Sequence, residues 1–157
     1  MLFRSAAALR KLFDGPRHAV TGERIFNGVP LGSSLEAAHG HLYLFQWVFG
    51  KEKPLEAINF GTDIDTYTAR LAPYLNADNP DLRAFAKRGG KLIMTLGTAD
   101  SVVPYHASIG YYERVIARLG GLDQTQACFR FYVVPGLAHG GGPGINQPPN
   151  LLEAVRA

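Results

Sequence analysis

Residues Gly89–Pro104 read GGKLIMTLGTADSVVP and contain the clearest strand pattern of the chain. Leu92–Leu96 is an almost unbroken apolar run between glycines, which is typical of a strand buried on both faces of a parallel sheet. The chain then turns through Gly97 and presents Asp100. Because ligands bind outside the carboxyl ends of the strands in open α/β sheets, a carboxylate at this position is a candidate for chemistry.

A second strand is predicted at Phe129–Val134, and His139 follows it at the head of a glycine-rich turn. Between the strands, Pro104–Leu119 has the apolar spacing of a crossover helix, and a last short helix is predicted at 149–156. The alternation of helix and strand beyond residue 80 predicts a right-handed βαβ unit with flanking helices. Two strands alone do not make a stable doubly wound sheet, so we expect the C-terminal part of a larger α/β protein.

Residues 1–78 contain no comparable strand and are predicted to be mainly helix and loop. A short amphipathic helix is predicted over residues 2–13, and a second over Asp63–Leu75 with a proline near its end. Asn79 is expected to cap a third helix, which ends at Lys87–Gly89. We therefore divide the chain into a helical and loop segment, 1–78, and an α/β portion, 79–157.

The composition excludes several classes of protein. The chain has 157 residues, 46% of them hydrophobic, so it is long enough for one domain with a buried core. Its formal charge of +3 is small and its 16 lysines and arginines are scattered, so neither nucleic acid nor a membrane is expected as a partner. No stretch has the roughly 18 apolar residues of a membrane span, and Met1–Ala8 lacks the basic start of a signal peptide.

Candidate metal ligands are sparse in the sequence. The one cysteine, Cys128, can form neither an intrachain disulfide nor a cysteine-based metal site. His39 with His41, and Asp63 with Asp65, are possible metal pairs, but neither has a third ligand at a suggestive spacing. We therefore predict no metal or other cofactor in this chain.

Asp100 and His139 are the residues best suited to chemistry. They are 39 positions apart and each follows a predicted strand, so they emerge at the same edge if the strands are neighbours. An aspartate so placed can accept the Nδ1–H of the histidine and leave the other ring nitrogen as a general base. The alternative is that Asp100 caps the helix that begins beside Pro104 and that His139 is an ordinary loop histidine. The spacing alone favours neither.

The sequence contains no recognisable nucleophile. A hydrolase of the α/β class carries its serine in a Gly-x-Ser-x-Gly elbow that precedes the aspartate, and this motif is absent. The nearest approach is HASIG at 106–110, which has histidine in place of the first glycine and follows Asp100. Since it also falls inside a predicted helix, we do not assign Ser108 as a nucleophile.

Two parts of the chain resemble the tannase and feruloyl esterase family of α/β-hydrolases. The first resembles a segment of the lid domain of that family and comprises DGPR at 14–17, TGERIF at 21–26 and GVPLG at 28–32. The second is more specific and comprises DLRAF at 81–85, GGKLI at 89–93, Gly97, Asp100, VP at 103–104, YYERV at 111–115, FRFYVVPGLAH at 129–139 and GGPG at 141–144. Together the matches span nearly the whole chain.

The resemblance implies a serine ester hydrolase that acts on aromatic carboxylic esters, such as gallate or hydroxycinnamate esters. Asp100 would be the acid of its Ser-His-Asp triad and His139 the base. The resemblance also implies that the serine and a structural calcium site lie upstream of this chain, and that residues 1–78 form a lid over an aromatic pocket. The aromatic run within Leu35–Phe49 fits such a pocket, although a run of this kind more often packs in a core.

One departure from the family is visible. Members commonly place a cysteine after the histidine and pair it with one beside the serine, but Gly140 occupies that position here, so this tether cannot form. The first hypothesis is therefore the C-terminal part of an aromatic ester hydrolase, inactive alone because the serine is absent. The alternative is an inactive remnant that binds aromatic ligands or another protein. In both cases an open sheet edge would pair with the missing N-terminal part or with a second copy.

Overall fold

The computed structural model describes residues 6–33, 48–50, 53, 57–140 and 150–156. The chain divides into two compact units. The first unit comprises Met1–Val29 and Leu35–Ala77, and the second comprises Pro30–Ser34 and Asp78–Ala157. Both strands and both candidate site residues belong to the second unit.

The first unit contains the two predicted helices. Helix α1 spans Ala6–Asp14, and helix α2 spans Thr62–Leu75 with Pro73 inside its last turn. Between them, Arg17 and Arg24 form an isolated antiparallel bridge that closes a turn. Residues 34–47 lie outside the described residues, so whether the aromatic run is core or pocket stays a prediction.

The second unit is built around one parallel pair of strands. Strand β1 (Leu92–Gly97) pairs with strand β2 (Phe129–Val134) in a register that runs from Leu92 opposite Phe129 to Gly97 opposite Val134, which confirms the predicted βαβ unit. The five-residue helix between the crossover helix and β2 was not predicted, because an amphipathic period cannot be read over so short a segment. In chain order the elements are α3 (Arg83–Lys87), β1 (Leu92–Gly97), α4 (Tyr105–Leu119), α5 (Leu122–Gln126), β2 (Phe129–Val134) and α6 (Leu151–Arg156).

Packing of α4 on the sheet forms the core of the second unit. Val115 and Phe129 are fully buried, and the ring of Tyr112 meets that of Phe129 edge to face with centroids 4.9 Å apart. Tyr112 also donates its hydroxyl to the carbonyl of Phe129 at 3.3 Å, so its one polar atom is satisfied. The helix ends as expected at Gly120, which adopts a left-handed conformation with a φ of 95°. These contacts between α4 and the sheet therefore hold β1 and β2 in the orientation that brings their carboxyl ends to the same edge.

Strand β1 differs from the prediction in its burial. Its apolar run was predicted to be buried on both faces, but Leu92 is 38% exposed and Gly97 is the one residue of the strand that is buried. Met94 packs against the core, whereas the neighbouring strand exposes 49% of Tyr132. The physical reason is that the described part of the sheet has two strands. Strand β1 therefore has a hydrogen-bonded neighbour along one of its two edges, and no strand covers its other edge among these residues.

The start of α3 also differs from the prediction. Asn79 does not cap the helix: its side-chain oxygen accepts the N–H of Asp81 at 2.9 Å, and Asp81 in turn accepts the N–H of Arg83 at 3.2 Å. Two successive turns of this kind use side-chain oxygens in place of helical carbonyls. The helix therefore begins at Arg83, three residues beyond the expected start at Pro80.

Asp81 connects α3 to α4 through two guanidinium groups. Its carboxylate accepts the Nε–H of Arg83 at 2.8 Å and the Nη2–H of Arg118 at 3.0 Å. The hydrogen bond from Arg83 is the largest cause that holds the pKa of Asp81 below its ordinary value. A carboxylate whose pKa is lowered by folding stabilises the fold above about pH 4, the range where the unfolded aspartate ionises, and this contribution is lost as the pH falls further.

We expect Asp81→Asn to lower the free energy of unfolding modestly at pH 7, because water and salt screen an exposed ion pair. The difference from the unsubstituted chain should shrink as the pH falls from about 5 towards 2, since Asp81 of the unfolded chain is then protonated and has to release its proton on folding. Urea unfolding at several pH values measures this, with Glu113→Gln on the exposed side of α4 as the matched control. A difference that is the same at every pH would contradict the role of the ionised carboxylate.

Candidate active site

Asp100 lies three residues beyond the end of β1 and is 3% exposed. Its Oδ1 accepts two backbone N–H groups, from Val102 at 2.9 Å and from Val103 at 2.8 Å. Its Oδ2 lies 3.0 Å from Nδ1 of His139. The two carboxylate oxygens therefore act differently, since one holds the carboxyl group in place and the other faces the imidazole.

Both interpretations of Asp100 contain part of the answer. The two amides that it accepts belong to the turn just before α4, whose N-cap residue is Pro104 and shows no side-chain capping bond. Asp100 thus shapes the approach to the helix without capping the helix itself. Since the same carboxylate also contacts His139, the structural and the chemical interpretations do not compete.

His139 lies five residues beyond the end of β2, and its side chain is 52% exposed. An ionised carboxylate can only accept a hydrogen bond, so we assign the proton of this 3.0 Å contact to Nδ1 of His139. In the neutral ring this leaves the lone pair on Nε2. An imidazole held in this tautomer, with much of its ring open to solvent, can take a proton from a hydroxyl group or from water.

The two loops that follow the strands touch closely at Gly97. We call Thr98–Val103 the acid loop and Pro135–His139 the base loop. A Cβ built on Gly97 would lie 1.8 Å from the carbonyl oxygen of Leu137, so a side chain has no room there. The same carbonyl accepts the N–H of Ala99 at 3.1 Å. Close backbone contact across Gly97 thus brings the two loops together.

Thr98 makes two further contacts with the chain around the base loop. Its N–H donates to the carbonyl of Val134 at 3.0 Å, and its hydroxyl oxygen accepts the N–H of Gly136 at 2.9 Å. Thr98 was not predicted as a site residue, because a threonine after a strand is common and carries no pattern of its own. Its role becomes visible only when the two strands are placed side by side.

The other sequence candidates do not gather around this pair. Ser108 lies inside α4, as expected. Asp63 forms an ion pair with Lys53, which is the largest cause that lowers the pKa of Asp63, and Asp65 lies 3.3 Å from Nε2 of His18. His39 and His41 lie outside the described residues.

Neither a metal cluster nor a membrane helix is found in the described part of the chain. Within ranges 6–33, 48–50, 53, 57–140 and 150–156, no three His, Cys, Asp or Glu side chains come together as metal ligands. No helix among those residues is long and apolar enough to cross a bilayer.

Of the described residues that line two cavities, none is Asp100 or His139. One, of about 250 Å³, lies at the opposite ends of the strands and is lined in part by Lys91, Leu92 and Arg130. The other, of about 480 Å³, belongs to the first unit and is lined in part by Lys11 and Phe60. Within the second unit, the histidine–aspartate pair is therefore at the carboxyl end of the sheet, the opposite end from the cavity of about 250 Å³.

Comparison with known proteins identifies the family. The profile of the family described as tannase and feruloyl esterase matches residues 48–157. An uncharacterised esterase of Xanthomonas campestris is 31% identical over 87% of this chain and 31% of its own length, and a probable feruloyl esterase of Arthroderma benhamiae is 27% identical over 94% of this chain and 31% of its own length. The chain thus spans about a third of the length of these curated relatives.

A solved structure shows the same fold. Feruloyl esterase B from Aspergillus oryzae superposes with a TM-score of 0.77 at 21% identity, over 96% of this chain and 35% of that chain. This agrees with the prediction that the chain is a part of an α/β-hydrolase. The family profile and the fold together establish that the chain belongs to the tannase and feruloyl esterase family.

Proposed function

We propose that this chain supplies the acid and the base of the Ser-His-Asp triad of a carboxylic ester hydrolase. The observation that carries the proposal is the 3.0 Å contact between Oδ2 of Asp100 and Nδ1 of His139 at the shared end of two parallel strands. Membership of an esterase family supports it. Asp100 is the acid that orients the ring, and His139 is the base.

The proposed reaction proceeds through an acyl-enzyme. Nε2 of His139 takes the proton from a serine hydroxyl while the serine oxygen attacks the ester carbonyl, and Asp100 stabilises the imidazolium that forms. The tetrahedral intermediate collapses, the bond to the alcohol breaks, and the imidazolium returns its proton to the departing alcohol. Water then attacks the acyl-enzyme with His139 again as base, and the carboxylic acid and free serine are released.

The nucleophile of this reaction is proposed to come from outside these 157 residues. None of their serines stands in a Gly-x-Ser-x-Gly elbow, and the chain spans about a third of its relatives. The calcium site implied by the family is proposed to lie in that other part as well. Taken alone, the chain is therefore expected to be inactive as an esterase.

Aromatic carboxylic esters are the proposed substrates. The Arthroderma relative is named a probable feruloyl esterase, and the matched solved structure is a feruloyl esterase. The segment 1–78 is proposed to contribute a lid to the pocket, with its aromatic run at Leu35–Phe49 as part of the lining. Hydroxycinnamate and gallate esters are the substrate classes to test first.

The edge of β1 that faces away from β2 has no strand partner among the described residues, and it is proposed as the surface that pairs with the rest of the enzyme. The N–H of Leu92 donates to the carbonyl of Cys128 and that of Thr98 to the carbonyl of Val134, both towards β2. Since backbone groups alternate along a strand, the N–H groups of Ile93 and Thr95 point to the other edge. No charged residue occurs in β1, and charged side chains are a common means by which edge strands avoid pairing.

Hydrogen exchange tests this pairing. In the isolated chain we expect the amides of Ile93 and Thr95 to exchange at least about tenfold faster than those of Leu92 and Thr98, which are hydrogen-bonded to β2. Joined to the missing part of the enzyme, the fast pair should become protected. Protection that grows with the concentration of the isolated chain would instead indicate pairing with a second copy.

Activity measurements test the proposed function itself. The 157 residues are joined to the preceding part of the Xanthomonas campestris esterase, and this fusion, the assembled esterase, is assayed on methyl ferulate and methyl gallate. We expect hydrolysis by the assembled esterase and none by the isolated chain. Hydrolysis by the isolated chain would refute the proposal that the serine lies elsewhere. A folded but inactive fusion would favour the alternative function, an inactive remnant that binds aromatic ligands or another protein.

A further inference from the structure

Thr98 contacts the base loop through its side chain as well as its backbone. Its hydroxyl oxygen accepts the N–H of Gly136 at 2.9 Å, while its own N–H donates to the last residue of β2. Thr98 stands two residues before Asp100, and Gly136 stands three residues before His139. This hydrogen bond therefore joins the acid loop to the base loop close to Asp100 and His139, whose side chains have to stay within hydrogen-bond distance of each other.

We propose that Thr98 is a positioning residue for His139. The catalytic meaning of this inference rests on the proposed function. The hydrogen bond between Thr98 and Gly136, however, lies entirely within this chain and can be tested without the rest of the enzyme. The His139 ring is half-exposed, so packing against neighbouring atoms restrains its position only in part. The backbone path of the base loop must therefore supply the remaining restraint on the ring. A hydrogen bond of 3.0 Å to Asp100 is lost once its atoms are more than about 3.5 Å apart.

The turn at Gly136 explains why a single hydroxyl matters. Gly136 has a φ of 74°, and Leu137 donates to the carbonyl of Val134 at 3.4 Å, which is a long hydrogen bond. The hydrogen bond that the Gly136 N–H donates to the Thr98 hydroxyl oxygen, at 2.9 Å, is shorter than the one donated by Leu137. Without the Thr98 hydroxyl, the Gly136 N–H loses its hydrogen-bond partner. The turn can then shift by a fraction of an ångström, which is enough to break the hydrogen bond between His139 and Asp100.

Two substitutions separate the hydroxyl from the shape of the side chain. Thr98→Val keeps the branched shape and removes the acceptor, whereas Thr98→Ser keeps the hydroxyl and removes a methyl group. Thr98 is half-buried, so both variants keep most of its packing. Comparing Thr98→Val with Thr98→Ser therefore shows whether the hydroxyl or the methyl group is responsible for an effect, and each variant is the matched control for the other.

Nitrogen-15 NMR of the full 157-residue chain gives the direct readout. In the unsubstituted chain and in Thr98→Ser we expect the His139 ring to carry its proton on Nδ1. In Thr98→Val we expect a shift towards the Nε2–H form that free histidine prefers. The Gly136 amide should exchange roughly five- to tenfold faster in the valine variant, as expected for the loss of one hydrogen bond.

The assembled esterase gives a second readout. There we expect Thr98→Val to lower kcat about 10- to 100-fold with KM changed less than about twofold, because misplacement of the base affects the chemical step more than binding. Thr98→Ser should restore most of the rate. If His139→Ala leaves the assembled esterase active, the proposed function fails, while the NMR comparison still decides the role of Thr98.

Two results would overturn the inference. One is an unchanged His139 tautomer and an unchanged Gly136 exchange rate in Thr98→Val. The other is an equal loss in Thr98→Val and Thr98→Ser, since the methyl group rather than the hydroxyl would then be responsible. If the valine variant does not fold, Thr98→Ala replaces it and is judged against serine in the same way.

Discussion

We expect His139→Ala to lower kcat/KM of the assembled esterase for methyl ferulate by about 10⁴- to 10⁶-fold, the loss that follows when a triad loses its base. In the proposed mechanism, Nε2 of His139 accepts the serine proton and later returns it to the alcohol. Among the described residues, the imidazole that lies 3.0 Å from the Asp100 carboxylate is that of His139. Steady-state rates measure this loss, and the tertiary fold is checked by amide spectra.

Two companion variants keep the first prediction specific. His106→Ala removes an exposed histidine on α4, whose ring stacks on Tyr105 at 4.0 Å, and it should leave the rate within about threefold, as for most surface substitutions. Asp100→Asn should lower kcat by about 10⁴-fold, because the amide no longer fixes the ring with its proton on Nδ1. A His139→Ala enzyme with a rate near that of the parent would remove His139 from the mechanism.

The second large effect is expected for Gly97→Ala, which should lower the free energy of unfolding by about 3 kcal/mol or more. The added Cβ would lie 1.8 Å from the carbonyl oxygen of Leu137 and 2.5 Å from its carbon. Both atoms belong to the backbone, so relief requires the base loop to move as a whole. Urea unfolding of the isolated chain measures the loss.

Gly110→Ala is the matched control for that substitution. Gly110 lies inside α4, and a Cβ built on it meets nothing within 4 Å apart from the adjacent residues and the backbone of its own helix. Since alanine is the better helix former by about 0.5–1 kcal/mol, this variant should be slightly more stable than the parent. Equal effects of the two substitutions would show that the contact between Gly97 and Leu137 is not a close one.

Patterns along the chain were enough to predict the framework. The apolar runs at Leu92 and Phe129 predicted the two strands, and the spacing of apolar residues predicted α4 between them. Parallel strands end at one edge, so the positions of Asp100 and His139 after the strands predicted a shared edge if the strands were neighbours. The spacing alone did not favour a contact between them, which was implied by the family resemblance and is seen in the structure. These features depend on local sequence and on general rules of chain topology.

Other features could not be predicted because they depend on contacts distant in sequence. The hydrogen bond between Thr98 and Gly136 joins residues 38 positions apart and leaves no local pattern. The expected burial of β1 was wrong for a related reason. Its apolar sequence reflects a complete sheet, whereas one neighbouring strand is present among the described residues. The Asn79 cap failed because Asp81 offered the backbone a competing turn.

The missing side chain at Gly97 also bears on how the sheet selects its alignment. In the observed pairing Gly97 is opposite Val134, and the carbonyl of Leu137 occupies the space that a Cβ would need. If the strands slid by one position, Leu96 or Thr98 would meet that carbonyl, and its Cβ would collide with it. We therefore expect a sheet shifted by one residue to be sterically disfavoured, so that the glycine helps to specify the register of the two strands.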